Sequence, residues 1–167
     1  VVTSMSNLGL HDAMKKRGIR VEVTDVGDRY VIERMRARRF NLGGEKSGHL
    51  VFMDYATTGD GIISALQVLK LMKRRNRTVA ELAACMEEYP QELVSLPVRE
   101  KPAIEDLPSL CAEIEACESA LADDGRVIVR YSGTERKIRL LVEAKDQGLV
   151  DEWIKRLSNV VGEEIGA

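Results

Sequence analysis

Apolar residues in the first half of the chain recur with two spacings, which predict a mixture of helices and strands. A helical spacing covers residues 10–17 and 30–39, whereas apolar and polar residues alternate over 19–24, as they do in strands. A second short strand is predicted over 50–55. A further helical stretch begins after the turn signal at 57–61. We expect this helix to pack against a core through a broad apolar stripe: Ile62, Ile63, Leu66, Leu69 and Met72.

Two capping signals add detail to the first half. Residues 78–81 have the S/T-x-x-E form of a capping box, which predicts a helix that ends before Pro90. Asp28 stands before the 30–39 helix, where a carboxylate favourably meets the positive end of the helix dipole. The capped helix is expected to turn four residues inward: Val79, Leu82, Ala83 and Met86.

In the second half, an alternating pattern predicts a small antiparallel sheet. Residues 126–131 and 137–144 alternate and flank a short loop, so they are predicted to pair as a hairpin. A third strand is predicted over 92–98. Because Pro97 cannot donate a ladder hydrogen bond, we expect that strand at an edge of the sheet.

Two helices are predicted on either side of this hairpin in the sequence. One runs from a cap at Asp106 through Leu121, and the other covers 149–165. The order strand, helix, strand, strand, helix predicts an α+β unit in which the helices cover one face of an antiparallel sheet. The first half, in which helices and strands are interspersed, is expected to form an α/β unit with a mixed sheet.

Charge supports a division of the chain near residue 90. Residues 1–90 carry 15 basic and 11 acidic side chains, whereas 91–167 carry 10 basic and 16 acidic ones. The opposite net charges, +4 and −6, predict two domains with these bounds. The positive charge is concentrated over 29–39 and 70–77, which favours an anionic ligand over a cationic one, although such runs are commonly solvated helix faces.

The composition is that of an ordinary soluble globular protein, since 44% of the 167 residues are hydrophobic and 31% are charged. The sequence has no apolar run of about 18 residues and no basic-then-apolar leader, which argues against a membrane span or secretion. A cytoplasmic location is expected. Cys85, Cys111 and Cys117 lack the spacing of a zinc site or a disulfide framework, so all three are expected to be buried thiols.

The loop of the predicted hairpin has the chemistry of an anion site. Residues 130–135 read Arg-Tyr-Ser-Gly-Thr-Glu. A guanidinium, two hydroxyls and a glycine that lets backbone N–H groups converge suit a phosphate. Arg139 lies on the same strand face as Arg130 by alternation and can add a second guanidinium. A plain hairpin turn has the same composition, so spacing alone leaves both interpretations open.

A second candidate site precedes the strand at 50–55. Residues 43–49 read Gly-Gly-Glu-Lys-Ser-Gly-His, in which Glu45, Ser47 and His49 alternate. In extended chain these side chains would present an acceptor, a hydroxyl and an imidazole on one side, which suits vicinal sugar hydroxyls. The GxxxxGK[ST] pattern of a P-loop is absent. A turn that leads into a strand is equally compatible with the pattern.

Together, several segments resemble the α-D-phosphohexomutase superfamily. Segments 44–49 and 130–135 resemble its sugar-binding and phosphate-binding loops, and the overall pattern is most similar to the branch that acts on glucosamine phosphates. The segments that carry the resemblance are 26–31, 41–45, 44–49, 57–61 and 130–135. It implies that 1–90 are the C-terminal part of an α/β third domain and that 91–167 are an α+β fourth domain.

By this resemblance, the whole protein is an isomerase that interconverts glucosamine 6-phosphate and glucosamine 1-phosphate, upstream of cell-wall precursors such as peptidoglycan. In the superfamily, a phosphoserine in the first domain donates the phosphoryl group, and an aspartate-rich loop in the second domain holds Mg²⁺. Neither loop occurs in this sequence. No catalytic residue or metal ligand is therefore expected here, and this stretch alone is expected to be inactive and to bind no cofactor.

The resemblance also implies two sets of binding residues. Glu45, Ser47 and His49 would contact the sugar, with Asp28 and Arg29 on a neighbouring loop. The phosphate that does not react would be held by a larger set: Arg130, Ser132, Gly133, Thr134 and Arg139. Anchoring a remote phosphate supplies binding energy and orientation for transfer at the other end of the sugar.

Two positions depart from the superfamily pattern. Its phosphate loop usually has proline where Tyr131 and Arg136 stand in this chain. Because proline restricts the unbound chain, the loop is expected to be less rigid here, at a cost of about 1 kcal/mol for each proline. The added cation at Arg136 is expected to strengthen the attraction of phosphate.

The implied partners are a hexosamine phosphate and the N-terminal domains of the same protein, with a homodimer as an option for the full-length chain. No nucleic acid or membrane partner is expected. Two alternatives are retained. One is a mannose or glucose phosphate as substrate. The other is a stand-alone module for anions or nucleic acid, which the net charge of −6 over 91–167, the single Trp and the two Phe oppose.

Overall fold

The computed structural model describes residues 1–167, which separate into two units, Val1–Glu88 and Tyr89–Ala167. Each unit has its own sheet and its own cluster of buried apolar side chains. No helix in the chain is both long enough and apolar enough to cross a bilayer.

The first unit is built on a mixed sheet of four short strands. In chain order they are β1 (Val2–Thr3), β2 (Val23–Thr24), β3 (Leu42–Gly44) and β4 (Leu50–Phe52). Their order across the sheet is β2-β1-β3-β4, and β1 is parallel to both β2 and β3. A tight hairpin joins β3 to the antiparallel β4. The carboxyl ends of the first three strands therefore meet at one edge of the sheet.

Four helices surround this sheet: α1 (Leu8–Lys16), α2 (Asp28–Arg38), α3 (Gly61–Arg75) and α4 (Val79–Ala83). The packing of α2 forms the core of the unit, because Val31 and Met35 are buried against β3. A Cβ at Gly43 would lie 2.4 Å from Met35 Sδ, so the helix approaches the strand as closely as glycine allows. Only Val1 and Val51 join these two residues in the buried cluster.

The expectation that α3 packs against a core is wrong. None of its residues is buried, and Ile62, Leu66 and Leu69 are 76%, 56% and 56% exposed. The strand next to it, β4, has three residues and is about 10 Å long, whereas the helix of 15 residues is about 22 Å long. The sheet is too small to cover the apolar stripe.

Other elements of the first unit are shorter than predicted. The strand expected over 19–24 is reduced to β2, because β1 offers only two residues as partners, and Ile19 is exposed. The capping box at Thr78 is present, but α4 ends at Ala83. Val79 is exposed and Met86 lies beyond the helix, so the predicted inward face is also wrong.

The second unit is a three-stranded antiparallel sheet covered by two helices. Strands β5 (Gln91–Pro97), β6 (Gly125–Tyr131) and β7 (Lys137–Ala144) have the order β5-β7-β6. The predicted hairpin and the predicted edge strand are therefore confirmed. Helices α5 (Pro108–Leu121) and α6 (Gln147–Ile165) pack on one face over a core of 15 buried residues, which confirms the α+β prediction.

The cap of α5 differs from the prediction. Asp106 lies in a separate 3₁₀ turn, and α5 begins at Pro108, a residue well suited to the first helical position. The first-turn N–H groups of Ser109 and Leu110 instead donate to the carboxylate of Glu164, at 3.0 and 3.2 Å. A side chain 54 or more positions away thus replaces the expected local cap.

The three cysteines do not share one environment. Cys117 is buried in the core of the second unit, Cys111 is half-buried, and Cys85 is exposed. The expectation of three buried thiols is therefore wrong for Cys85. Cys85 lies two residues beyond the end of α4 at Ala83, in a segment where its neighbours Ala84 and Glu87 are exposed as well.

Candidate functional site

Two loops of the first unit lie at the carboxyl edge of its parallel strands. The loop after β2 leads to Asp28 and Arg29, and the loop after β3 begins at Glu45. Open α/β sheets bind ligands at this edge, just beyond the ends of the strands. Because β1 lies between β2 and β3, the two loops start about 10 Å apart, at the usual spacing of strands.

Glu45, Ser47 and His49 form one hydrogen-bonded group, which we call the hairpin cluster. Ser47 Oγ donates to Glu45 Oε1 at 2.7 Å and lies 2.9 Å from His49 Nδ1. His49 Nδ1 is 3.1 Å from Glu45 Oε1, and the tautomer of the imidazole decides whether Nδ1 donates or accepts a hydrogen bond. The cluster offers a carboxylate, a hydroxyl and an imidazole within one small volume.

A tight turn, rather than extended chain, brings these side chains together. The Gly48 N–H donates to the Glu45 oxygen and the Glu45 N–H donates to the His49 oxygen, both at 3.0 Å. Gly48 has φ = +94°, a conformation that favours glycine. Alternation thus correctly placed the three side chains on one side, but the local structure that does so is different.

Asp28 and Arg29 occupy the first turn of α2. Asp28 Oδ1 accepts a 2.7 Å hydrogen bond from the Arg29 N–H. Arg29 Nε donates to Glu33 Oε1 at 2.8 Å, and this bond raises the pKa of the guanidinium. The structure has no hydrogen bond or ion pair between these residues and the hairpin cluster.

In the second unit, Arg130 and Arg139 lie directly opposite each other on β6 and β7. Both point to the sheet face away from the buried residues Ile138 and Leu140. Like charges in directly opposed positions repel, and Arg130 has no ion pair or side-chain hydrogen bond to offset the repulsion. Arg139 has only a long ion pair, in which its Nη2 is 3.7 Å from Glu135 Oε2. Such a pair of guanidiniums is well suited to share one anion.

The loop that joins β6 to β7 adds neutral donors to this pair. Ser132 is 2% exposed, and its N–H donates to the Lys137 oxygen at 2.9 Å. Its Oγ accepts a 3.3 Å hydrogen bond from the Glu135 N–H, which closes the loop. Gly133 and Thr134 are exposed, and their backbone N–H groups have no partner within the protein. These two groups are available to a ligand.

Two ionisable residues at this loop are shifted by their surroundings. A 2.6 Å hydrogen bond from Lys137, with a smaller effect of Arg139, holds the pKa of Glu135 below its usual value. Burial raises the pKa of Tyr131, and the nearby charge of Glu100 adds to the effect. The loop therefore carries an ionised Glu135 and a neutral Tyr131 at neutral pH.

One residue at this loop is not predicted by any pattern in the sequence. Lys101 Nζ donates a 2.6 Å hydrogen bond to the backbone oxygen of Ser132. Lys101 lies in the connector between β5 and α5, in a polar stretch with no periodicity. No local pattern could have linked it to a loop 31 positions away.

The chain contains no group of three or more His, Cys, Asp or Glu side chains that could hold a metal ion. Mg²⁺ prefers several oxygen ligands in octahedral geometry. The residues present therefore do not fit a resident magnesium site.

Comparison with known families assigns both units. Residues 1–89 match the family model described as phosphoglucomutase/phosphomannomutase, alpha/beta/alpha domain III. Residues 93–160 match the model described as phosphoglucomutase/phosphomannomutase, C-terminal domain.

Curated relatives give a closer comparison. The chain is 48% identical over 166 residues to a phosphoglucosamine mutase of Geobacter metallireducens, a match that covers 99% of this chain and 37% of that protein. It is 53% identical to a phosphoglucosamine mutase of an Anaeromyxobacter species, over 97% of this chain and 35% of the relative. The chain thus spans little more than a third of the length of these relatives.

Solved structures share the fold. The crystal structure of Aspergillus fumigatus N-acetylphosphoglucosamine mutase in complex with GlcNAc-6P and magnesium superposes with a TM-score of 0.77. The superposition covers 97% of this chain and 38% of that one, at 23% sequence identity.

Proposed function

The chain belongs to the phosphoglucomutase/phosphomannomutase family, and on that premise we propose that it is the sugar- and phosphate-binding part of a phosphoglucosamine mutase. The full-length enzyme would be an isomerase that interconverts glucosamine 6-phosphate and glucosamine 1-phosphate. The names of the curated relatives support this substrate. The domain boundary is placed between residues 90 and 91, a position supported by the two structural units and the two family matches.

The observation that carries the proposal is the opposed pair Arg130 and Arg139 beside a loop with free N–H groups. A phosphate dianion would offset the repulsion between the two guanidiniums, which within the protein is reduced only by the 3.7 Å contact of Arg139 with Glu135. The N–H groups of Gly133 and Thr134 and the Ser132 hydroxyl supply neutral donors to the same anion. In this role the loop anchors the phosphate that is not transferred.

The hairpin cluster is assigned to the sugar. Glu45 accepts from hydroxyl or amine hydrogens, whereas Ser47 and His49 can donate or accept according to the tautomer. Because the three side chains are already hydrogen-bonded to one another, they are held in position before the ligand arrives. Asp28 and Arg29, on the neighbouring loop of the same edge, are assigned to substrate selection.

Catalysis itself is assigned to parts of the enzyme outside this chain. Magnesium, which is present in the complex of the Aspergillus protein, would be held there, since these residues do not fit it. The full-length enzyme would therefore need its N-terminal domains for phosphoryl transfer. Three free cysteines suit a reducing compartment, so the cytoplasm is the proposed location.

The test of the phosphate site is a binding experiment on the 167-residue chain with glucosamine 6-phosphate. We expect binding in the millimolar range, which Arg130→Gln weakens at least tenfold, as expected for the loss of a charge-assisted hydrogen bond. Lys155→Gln, which removes an exposed positive charge on α6, is the matched control and should bind as the unmodified chain does. Equal affinity in all three proteins would contradict the proposal.

The substrate is tested in the full-length enzyme. Glucosamine 6-phosphate, mannose 6-phosphate and glucose 6-phosphate are compared by kcat/KM. The family description names phosphoglucomutase and phosphomannomutase, so glucose 6-phosphate and mannose 6-phosphate are the alternative substrates to compare. Preference for either of them would reassign the substrate, and turnover of none by a phosphorylated enzyme would overturn the mutase activity.

A further inference from the structure

The connector after β5 holds the phosphate loop near both of its ends. Lys101 Nζ donates a 2.6 Å hydrogen bond to the Ser132 oxygen, and the Val98 N–H donates a 3.1 Å hydrogen bond to the Arg136 oxygen. Both bonds go to backbone atoms of the loop. The connector therefore fixes the loop through the loop backbone, and the side chains of the loop stay available to a ligand.

The bond from Lys101 also sets the direction of a neighbouring N–H group. In a planar trans peptide, the C=O and the N–H point in opposite directions. When the ammonium holds the Ser132 oxygen on one side, the Gly133 N–H of the same peptide must point to the other. That N–H has no partner in the protein, and a Cβ at Gly133 would meet no atom within 4 Å. Gly133 is also exposed, so a ligand can approach the backbone at this residue.

The loop has few other constraints on this peptide. Gly133 is the most flexible residue type, and Tyr131 and Arg136 restrict the backbone less than proline would. Within the hairpin, two other bonds restrain Ser132: its N–H donates to the Lys137 oxygen, and its Oγ accepts from the Glu135 N–H. Neither bond involves the Ser132 carbonyl or the Gly133 N–H. The hydrogen bond from Lys101 thus supplies order that the loop sequence itself does not.

We propose that Lys101 is a positioning residue that aims the Gly133 N–H at the bound phosphate by holding the Ser132 carbonyl. Lys101 acts through the peptide and does not need to touch the phosphate. The inference rests on the proposed function, because it presupposes a phosphate at this loop. It adds a residue from the connector to a site otherwise formed by the β6–β7 hairpin.

The test is an NMR titration of the ¹⁵N-labelled 167-residue chain with inorganic phosphate. We expect Lys101→Met to weaken phosphate binding about tenfold, the usual effect of losing one charge-assisted hydrogen bond. The Gly133 amide resonance should move even before phosphate is added, because its own peptide loses a bond. Lys101→Arg can still donate to the carbonyl and should bind within about threefold of the unmodified chain.

Lys145→Met is the matched control. It also removes one ammonium, but at the far end of β7, where Lys145 pairs with Asp124. It should leave both phosphate affinity and the Gly133 resonance unchanged. Lys101→Gln is too short to reach Ser132 and should behave like Lys101→Met, so it replaces that variant if the latter does not fold.

The outcomes separate this inference from the proposed function. If Arg130→Gln loses phosphate binding while Lys101→Met binds normally, the role of Lys101 is wrong and the phosphate site stands. An equal loss in Lys101→Met and Lys145→Met would also overturn it, because the effect would then be general charge. If the unmodified chain does not respond to phosphate, both the site and the inference fail.

Discussion

At the scale of single residues, the opposed arginines lower the stability of the sheet but favour the binding of an anion. Arg130 and Arg139 face each other across β6 and β7, and the one acidic side chain near them, Glu135, is 3.7 Å from Arg139. Directly opposed like charges destabilise a sheet, and favourable cross-strand pairs set the scale of such effects at roughly 0.2–1 kcal/mol. Stability of the sheet alone therefore does not explain the presence of this arginine pair.

We therefore expect Arg130→Gln to raise the melting temperature of the second unit by about 1–4 °C while it weakens phosphate binding. Phosphate at ten times its Kd for the unmodified chain should stabilise that chain by about 1.4 kcal/mol and the variant by at most about 0.4 kcal/mol. Thermal unfolding with and without phosphate measures both effects. A variant that is less stable and that phosphate stabilises as much as the unmodified chain would contradict this assignment.

The cysteines allow a second prediction from single-residue environments. Burial, with smaller effects of Glu113 and Glu118, raises the pKa of the Cys117 thiol to about 11. At pH 8 only about one thiol in a thousand is then the reactive thiolate. Cys85 is exposed and should be labelled within minutes by a thiol reagent, whereas Cys117 should react only at the rate of unfolding. Mass spectrometry of the labelled chain distinguishes the two sites.

Single residues also show what the sequence could and could not reveal about the site. Alternation placed Arg130 and Arg139 on one face, because a hairpin of known loop length has only one register that buries its apolar side. Lys101 and Glu164 could not be found in this way. Each bonds to backbone atoms of a loop or helix that lies far away in the sequence, and only the three-dimensional fold defines those neighbours.

At the scale of elements, the two units differ in how well apolar periodicity predicted burial. In α6 the periodic residues Val150, Ile154 and Leu157 are buried, because the helix lies on a three-stranded sheet with strands of seven or eight residues. In α3 an equally regular stripe is exposed. Periodicity predicts that a helix has an apolar face, but the size of the neighbouring sheet decides whether that face is covered.

This contrast predicts unequal costs for two similar truncations. Leu110→Ala, at a position with 0% exposure, should destabilise the second unit by about 2–5 kcal/mol. Leu66→Ala, at 56% exposure, should change the free energy of unfolding by less than about 0.5 kcal/mol. Chemical denaturation of both variants, followed by circular dichroism, measures the difference. A large cost at Leu66 would mean that the α3 stripe is covered in solution.

At the scale of the whole molecule, the two units have very different means of stabilisation. The cluster of the second unit contains 15 buried residues, whereas that of the first contains four. Full burial of one large apolar side chain contributes roughly 1.5–3 kcal/mol. With eleven more buried residues, the second unit gains much more free energy of folding from apolar burial. The conformational entropy that opposes folding is similar in the two units, because their chain lengths are similar.

We therefore expect the units to unfold separately, the first at lower denaturant concentration. Native-state hydrogen exchange can resolve this, because backbone amides report the opening of their own unit. The amides of Leu140 and Val142, central in β7, should exchange at least a hundredfold more slowly than the amide of Val51 in β4, although all three residues are at most 1% exposed. Burial of the individual residue therefore cannot explain such a difference. If all three amides exchanged at the same rate and with the same denaturant dependence, the chain would be one cooperative unit, and the stability of the first unit would have to come from something other than its own four-residue core.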